Sequence, residues 1–189
     1  MATWWWVRHG PTGRKEFNGW TDVPAILTDR DLLARLADYL PSDALVVSSD
    51  LQRAAATADA IAAGRPRLPH DPGLREISFG DWEGRPYEEI GREYPDLARR
   101  YFSDPSQSAP AGGERWDALA HRVGAAVARL DGLAEHIVAV AHFGTILTQV
   151  QRARGCDTPS VLAQPIDYLS VTRIEAGARW ALHEVNHRP

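Results

Sequence analysis

Two apolar runs that each end at a histidine and a glycine constrain this chain more than any other feature. The first, Thr3-Trp4-Trp5-Trp6-Val7, stops at Arg8-His9-Gly10, and Pro11 and Gly13 then forbid a continuing strand or a regular helix. The second, Ile137-Val138-Ala139-Val140-Ala141, runs into His142-Phe143-Gly144. A strand that gives way to a polar turn is where open α/β sheets place their chemistry. An imidazole at such a turn, beside a guanidinium and glycines that admit a ligand close to the backbone, suits a nucleophile for an anionic group. A lone histidine there is as readily structural or solvated; two strands ending alike point to a site.

Between these runs, helical and strand patterns alternate. Thr28 is expected to cap a helix over 29–40, with Leu32, Leu33, Leu36 and Leu40 on one face and Pro41 ending it. A short buried strand over 44–48 leads into an alanine-rich helix over 50–63, which Gly64 and Pro66 terminate. Residues 67–70 read as a short third strand. The stretch 71–113 is irregular, with short helices near 86–92 and 95–102. A long helix over 113–130 precedes the second apolar strand, and a helix over 145–154 follows it. The runs 168–175 and 179–185 read as an antiparallel hairpin at the sheet edge. The expected fold is α/β: a three-layer α/β/α sandwich with a mostly parallel central sheet and an antiparallel C-terminal edge.

At 189 residues, 44% hydrophobic and 24% charged, the chain reads as one domain spanning 1–189 with a sizeable core. No segment reaches the roughly 18 apolar residues of a membrane span, and residues 4–7 are too short a run for a secretory leader. Cys156 is the sole cysteine, which fits a reducing, cytoplasmic setting. It reads as a small packing residue. The net charge of −4 and pI near 6.0, with no basic cluster or tail, argue against nucleic acid or membrane as partner. An anionic substrate then needs its positive charge supplied locally. The C-terminal hairpin offers an edge on which a homodimer could pair.

Two further polar constellations sit where strands or loops turn. In Ser48-Ser49-Asp50-Leu51-Gln52-Arg53-Ala54 a strand passes into a helix whose first turn carries Arg53, and helix-start N–H groups with a guanidinium fork suit phosphate or carboxylate. In Leu74-Arg75-Glu76-Ile77-Ser78-Phe79-Gly80-Asp81-Trp82-Glu83-Gly84 a partly desolvated carboxyl suits an acid role. Three motifs carry less. His183-Glu184-Val185-Asn186-His187 has the spacing of a zinc protease motif, but it lies in a β-like run where a helix is needed. Gly10 to Lys15 lacks the glycine spacing and the Ser or Thr of a Walker loop. Trp4, Trp5 and Trp6 alternate faces of a strand, so they pack on the sheet and form no stacking platform.

Taken in order, Arg8-His9-Gly10 with Thr12, Ser49-x-Leu51-x-Arg53-Ala54 with Thr57-Ala58, Leu74-x-Glu76-x-x-x-Gly80-x-x-Glu83-Gly84, Gly112-Gly113-Glu114 and Ala141-His142-Phe143-Gly144 resemble the histidine phosphatase superfamily. The branch is that of cofactor-dependent phosphoglycerate mutases and small bacterial phosphatases, alpha-ribazole phosphatase among them. The resemblance implies His9 as a nucleophile that forms a phosphohistidine, with Arg8, Arg53 and a protonated His142 around the phosphate. It implies Glu76 as general acid and base, a small phosphorylated metabolite as substrate, and neither metal nor cofactor. Thr12, Lys15, Trp20 and Phe143 are expected near the rest of the substrate, with Trp82 and Tyr101 at the mouth. Lys15 stands where the family often has an asparagine; it either meets a substrate anion or is solvated, and Asn18 is the other candidate for that amide. Phe143 stands where the family usually has glycine. Mutase-type phosphoryl transfer and non-catalytic phosphate-ester binding are the alternatives. The mutases carry a middle insertion and a C-terminal extension for which this chain has no room.

Overall fold

A computed structural model describes residues 2–189. Its sheet has five strands, β1 (Thr3–Arg8), β2 (Leu45–Ser48), β3 (His136–Ala141), β4 (Val171–Glu175) and β5 (Ala181–His187), in the order β2-β3-β1-β4-β5. β1 and β2 each pair parallel with β3, while β4 and β5 are antiparallel. The central strands β1 and β3 are apolar over Trp4–Val7 and Ile137–Ala141 because both faces are covered there. Trp4 and Trp6 pack on one face, stacked at 5.2 Å, against α5 (Trp116–Leu130) and α6 (Phe143–Arg154). Trp5 and Val7 pack on the other, against α1 (Arg30–Tyr39) and α2 (Gln52–Ile61). The three layers are those expected from the sequence.

Several local readings need correction. The cap of α1 is Asp29, whose carboxylate accepts from Leu32 N at 3.0 Å, and not Thr28. Residues 67–70 make a single bridge, Val46 to Arg67, because Pro66 and Pro69 have no N–H to give a ladder. The helix expected from 113 begins at Trp116. Gly113 is instead held in a turn against Gly80, which has φ +51° and where a Cβ would stand 2.1 Å from Ala111 O. Helix α6 starts at Phe143, two residues earlier than expected. A helix over Thr158–Leu162, α7, carries no strong periodic signal and was not anticipated.

The chain between α2 and α5 carries α3 (Tyr87–Glu93) and α4 (Pro95–Ser103), which with Phe17 and Trp82 enclose a separate small cluster of Ile90, Ala98 and Tyr101. This excursion rises beside the carboxyl ends of β1, β2 and β3. Opposite it, Arg65 ties α1 to α2. Its guanidinium donates to the carbonyls of Ala37, Leu40, Pro41, Ile61 and Ala62 at 2.6–3.3 Å, satisfying groups that both helices leave open at their C-termini. Arg65→Met is therefore expected to lower the unfolding free energy by about 3 kcal/mol, measured by urea denaturation; a change under about 0.5 kcal/mol would show that water replaces the guanidinium at no cost.

Candidate active site

Parallel register brings the two histidines together. Arg8 pairs with Ala141 at the ends of β1 and β3, so the next residues, His9 and His142, emerge side by side with ring centroids 5.0 Å apart. β2 ends alongside, and the turn after it feeds α2 with Arg53 in its first turn. Glu76 arrives on the irregular segment from the excursion. A cleft of about 170 Å³ is lined by Arg8, His9, Thr12, Arg53, Glu76 and Phe143 together with Arg14, Glu16, Asn18, Phe79, Tyr87 and Tyr168. It lies outside the carboxyl ends of the strands, where open α/β sheets bind ligands.

His9 is 5% exposed. Its Nδ1 lies 2.7 Å from the carbonyl of Gly10, and since a carbonyl only accepts, Nδ1 carries the proton and Nε2 the lone pair. The Gly10 amide is anchored in turn to Thr57 Oγ1 at 2.9 Å, and that hydroxyl donates to Arg53 O. Burial, followed by the charges of Arg53 and Arg8, pushes the His9 imidazolium far below the ordinary histidine value. His9 is thus a neutral base at neutral pH. His142 is fully buried, and burial, followed by His9, Arg53 and Arg8, drives it down as well. Burial and these neighbours thus favour a neutral His142, where a protonated imidazole was expected.

Positive charge comes from three arginines. Arg53 is 1% exposed and its guanidinium is fixed by the carbonyls of Asn18, Gly19 and Thr21 at 2.6–3.2 Å. Arg8 donates to Ile166 O at 2.6 Å and lies 3.8 Å over the ring of Tyr168. The left-handed φ of 59° at Leu169 turns the chain so that Tyr168 reaches this position. Arg14 is exposed at the rim. Arg8 Nε and both ring nitrogens of His142 are buried with no partner among the described residues; polar atoms in that state are the ones an oxyanion satisfies. The N-terminus of α2 is not part of this set. Asp22 already accepts from Gln52 N at 2.7 Å, so that first amide is taken, and the helix contributes the Arg53 side chain.

Glu76 is 8% exposed. Its Oε1 accepts from Ile77 N at 2.9 Å and its Oε2 from Gly144 N at 3.0 Å. Gly144 has to be glycine for this approach, because a Cβ would stand 2.5 Å from Glu76 Oε1. Arg122 holds the backbone behind it, donating to the carbonyls of Gly73, Arg75 and Glu76 while paired with Glu114 at 2.7 Å.

Of the expected substrate contacts, Thr12 and Phe143 line the cleft. Lys15 does not: it is exposed and outside the lining, and its neighbour Arg14 faces the cleft instead. Trp20 does not either. Its indole donates to Glu76 O at 2.8 Å and lies between Arg75 and Arg122, bracing the acid from behind. Trp82 is buried in the small cluster. Asn18 lines the cleft, although its Nδ2 is already bonded to Glu16 O at 2.9 Å. Sequence reading missed Arg14, Tyr87 and Tyr168; Tyr168 was placed in a strand, and it sits just before β4. The zinc-like His183 and His187 lie on strand β5, where four residues span roughly 13 Å, too far for one ion. Among the described residues no cluster of potential metal ligands forms, and no helix is long and apolar enough to cross a membrane.

The geometry agrees with what comparison with known proteins finds. A 32% identical relative, phosphoglycerate mutase-like protein 4 of Arabidopsis thaliana, aligns over 96% of this chain and 84% of its own. The adenosylcobalamin/alpha-ribazole phosphatase of Salmonella typhimurium is 28% identical over 96% of this chain and 89% of its own. A mycobacterial glucosyl-3-phosphoglycerate phosphatase superposes with a TM-score of 0.85 at 26% identity over the whole of both chains, 100% each. With the model of the histidine phosphatase superfamily, branch 1, matching residues 4–188, the chain belongs to that superfamily and is an enzyme of it.

Proposed function

We propose that the protein hydrolyses the phosphate monoester of a small metabolite, with His9 as phosphoryl acceptor and Glu76 as acid and base. The observation that carries this reading is the 2.7 Å hydrogen bond from His9 Nδ1 to Gly10 O, which leaves Nε2 unprotonated and aimed at the arginine-lined cleft. A phosphate seated between Arg8, Arg53 and His142 satisfies the buried donors there. The two guanidinium groups offset charge on the transferring phosphoryl. A phosphate dianion also favours a proton on His142, so its binding offsets the burial that disfavours the charged imidazole.

In the first step the Nε2 lone pair of His9 forms the N–P bond as the ester P–O bond breaks. Glu76, as the acid, gives its proton to the departing alkoxide. In the second step Glu76, now a carboxylate, takes a proton from water, whose oxygen attacks phosphorus. The N–P bond breaks, phosphate leaves, and His9 returns as the neutral base with Glu76 protonated. The same phosphohistidine serves transfer to a second hydroxyl, the chemistry for which the Arabidopsis relative is named. Hydrolysis is favoured because the Salmonella and mycobacterial relatives are named as phosphatases.

Rapid acid or alkaline quench with a ³²P-labelled ester tests the assignment of roles. Wild type is expected to give an alkali-stable, acid-labile label, and His9→Ala to give neither label nor phosphate release. Glu76→Gln is expected to slow turnover of an alkyl phosphate by about 10²–10⁴ and that of p-nitrophenyl phosphate far less in the labelling step, since p-nitrophenolate leaves without a proton. Undiminished turnover in His9→Ala, or equal losses on both esters in Glu76→Gln, contradicts it.

The buried neutral histidines also set a pH dependence. Their folded values lie well below 6.5, so below pH 6.5 the unfolded chain takes up protons that the folded chain does not. Stability is therefore retained above 6.5 and falls as pH drops beneath it, by about 1.4 kcal/mol per pH unit for each histidine. Urea titrations at pH 7 and pH 5.5 are expected to show this loss and a smaller one in His142→Asn; equal slopes in the two proteins would place the protons elsewhere.

A further inference from the structure

The catalytic cleft opens on one side into a second cavity of about 330 Å³, and the two share Glu76, Phe79, Tyr87 and Phe143 as common walls. Beyond these, the second cavity is closed by Phe17, Tyr101, Phe102, Trp116 and Leu162. Its buried end is formed by Tyr101 and Trp116, at 6% and 4% exposure, and its rim by Tyr87 and Phe102, at 49% and 56%. Exposed aromatic side chains grouped around a cavity mark a site where apolar surface is covered by a ligand. Glu76 is the only charged residue in its lining. The electrostatic surroundings agree: burial, followed by Glu76 and Glu114, pushes the Tyr101 hydroxyl above its ordinary value.

Glu76 stands where the polar cleft becomes the apolar cavity. On the reading of the site given above, its carboxyl protonates the oxygen that leaves phosphorus, opposite His9 Nε2. Whatever that oxygen carries therefore extends past Glu76. We infer that the cavity is the binding site for the alcohol portion of the substrate, and that the substrate class is the phosphate monoester of an uncharged alcohol bearing an apolar ring or chain. A carboxylate on the alcohol would be buried among aromatic side chains with no partner, and burial of an unpaired charge is strongly unfavourable. Phe143, which stands where the family usually has glycine, forms part of the wall between phosphate and alcohol and is the residue through which this chain selects.

The inference rests on the phosphomonoesterase reading, and one set of assays separates the two. Phosphate release is measured for ethyl phosphate, 2-phenylethyl phosphate and 3-phosphoglycerate, with p-nitrophenyl phosphate as the common reference. The first two have alcohols of similar acidity and differ in apolar surface, while the third adds a carboxylate. The expected order in kcat/KM is 2-phenylethyl above ethyl by at least about tenfold, with 3-phosphoglycerate lowest. Leu162→Lys, which brings an ammonium to the half-buried end of α7, is expected to reduce the 2-phenylethyl to ethyl ratio below about threefold and to raise turnover of 3-phosphoglycerate. Phe102→Ser, at the exposed rim, is expected to reduce the same ratio without a buried substitution. Hydrolysis of ethyl and 2-phenylethyl phosphate at equal kcat/KM, or a preference for 3-phosphoglycerate in wild type, overturns the alcohol site and leaves the phosphatase standing. No turnover of any of the four esters overturns both.

Discussion

The site depends on one buried hydrogen bond, from His9 Nδ1 to the carbonyl of the next residue. Water would otherwise let the imidazole rotate, exchange tautomers and protonate. Here the ring is buried beside two arginines, so the charged form is disfavoured, and the Gly10 carbonyl decides which nitrogen keeps the proton. The strand below and the Thr57 contact to the Gly10 amide hold that carbonyl in place. Cationic surroundings and a neutral imidazole are compatible for this reason: guanidinium groups suited to an anion also keep His9 unprotonated.

The fold supplies this arrangement through register. Two adjacent parallel strands that end at the same level deliver two histidines at the same level, and the antiparallel β4 then returns Tyr168 to the same end to cover Arg8. The excursion between α2 and α5 brings Glu76 in, and the Arg122–Glu114 pair with Trp20 fixes its backbone. Each catalytic candidate thus sits on a rigid strand end or on a loop clamped by charge-assisted hydrogen bonds. Glu76 lines both the polar cleft and the apolar cavity, so the boundary between the two linings coincides with its carboxyl.

Much of this was legible in the sequence, for physical reasons. Apolar runs ending in His-Gly or His-x-Gly located β1, β3 and the centre of the site, because strands buried on both faces carry an unbroken signal and the turn after them is short. Arg53 and Glu76 were legible through motif order. What escaped was set by tertiary contact. The choice between Arg14 and Lys15 depends on which way a turn with Gly13 at φ +67° faces, and periodicity carries no information about that. Trp20 was read as a wall of the cleft, and it is spent instead on bracing Glu76. The state of His142 escaped because charge depends on burial, which no spacing reports. Helix α7 and the cap of α1 were missed because short helices and single caps are decided by neighbours.

The central claim is that His9 is a neutral imidazole with its proton on Nδ1, and ¹⁵N NMR of histidine-labelled protein at pH 7 reads it directly. The account predicts a His9 signal pair with a protonated Nδ1 and an unprotonated Nε2, unchanged as pH falls to 6, and absent in His9→Ala. An imidazolium at pH 7, or a proton on Nε2 in the free enzyme, would leave no lone pair facing the cleft and would contradict it.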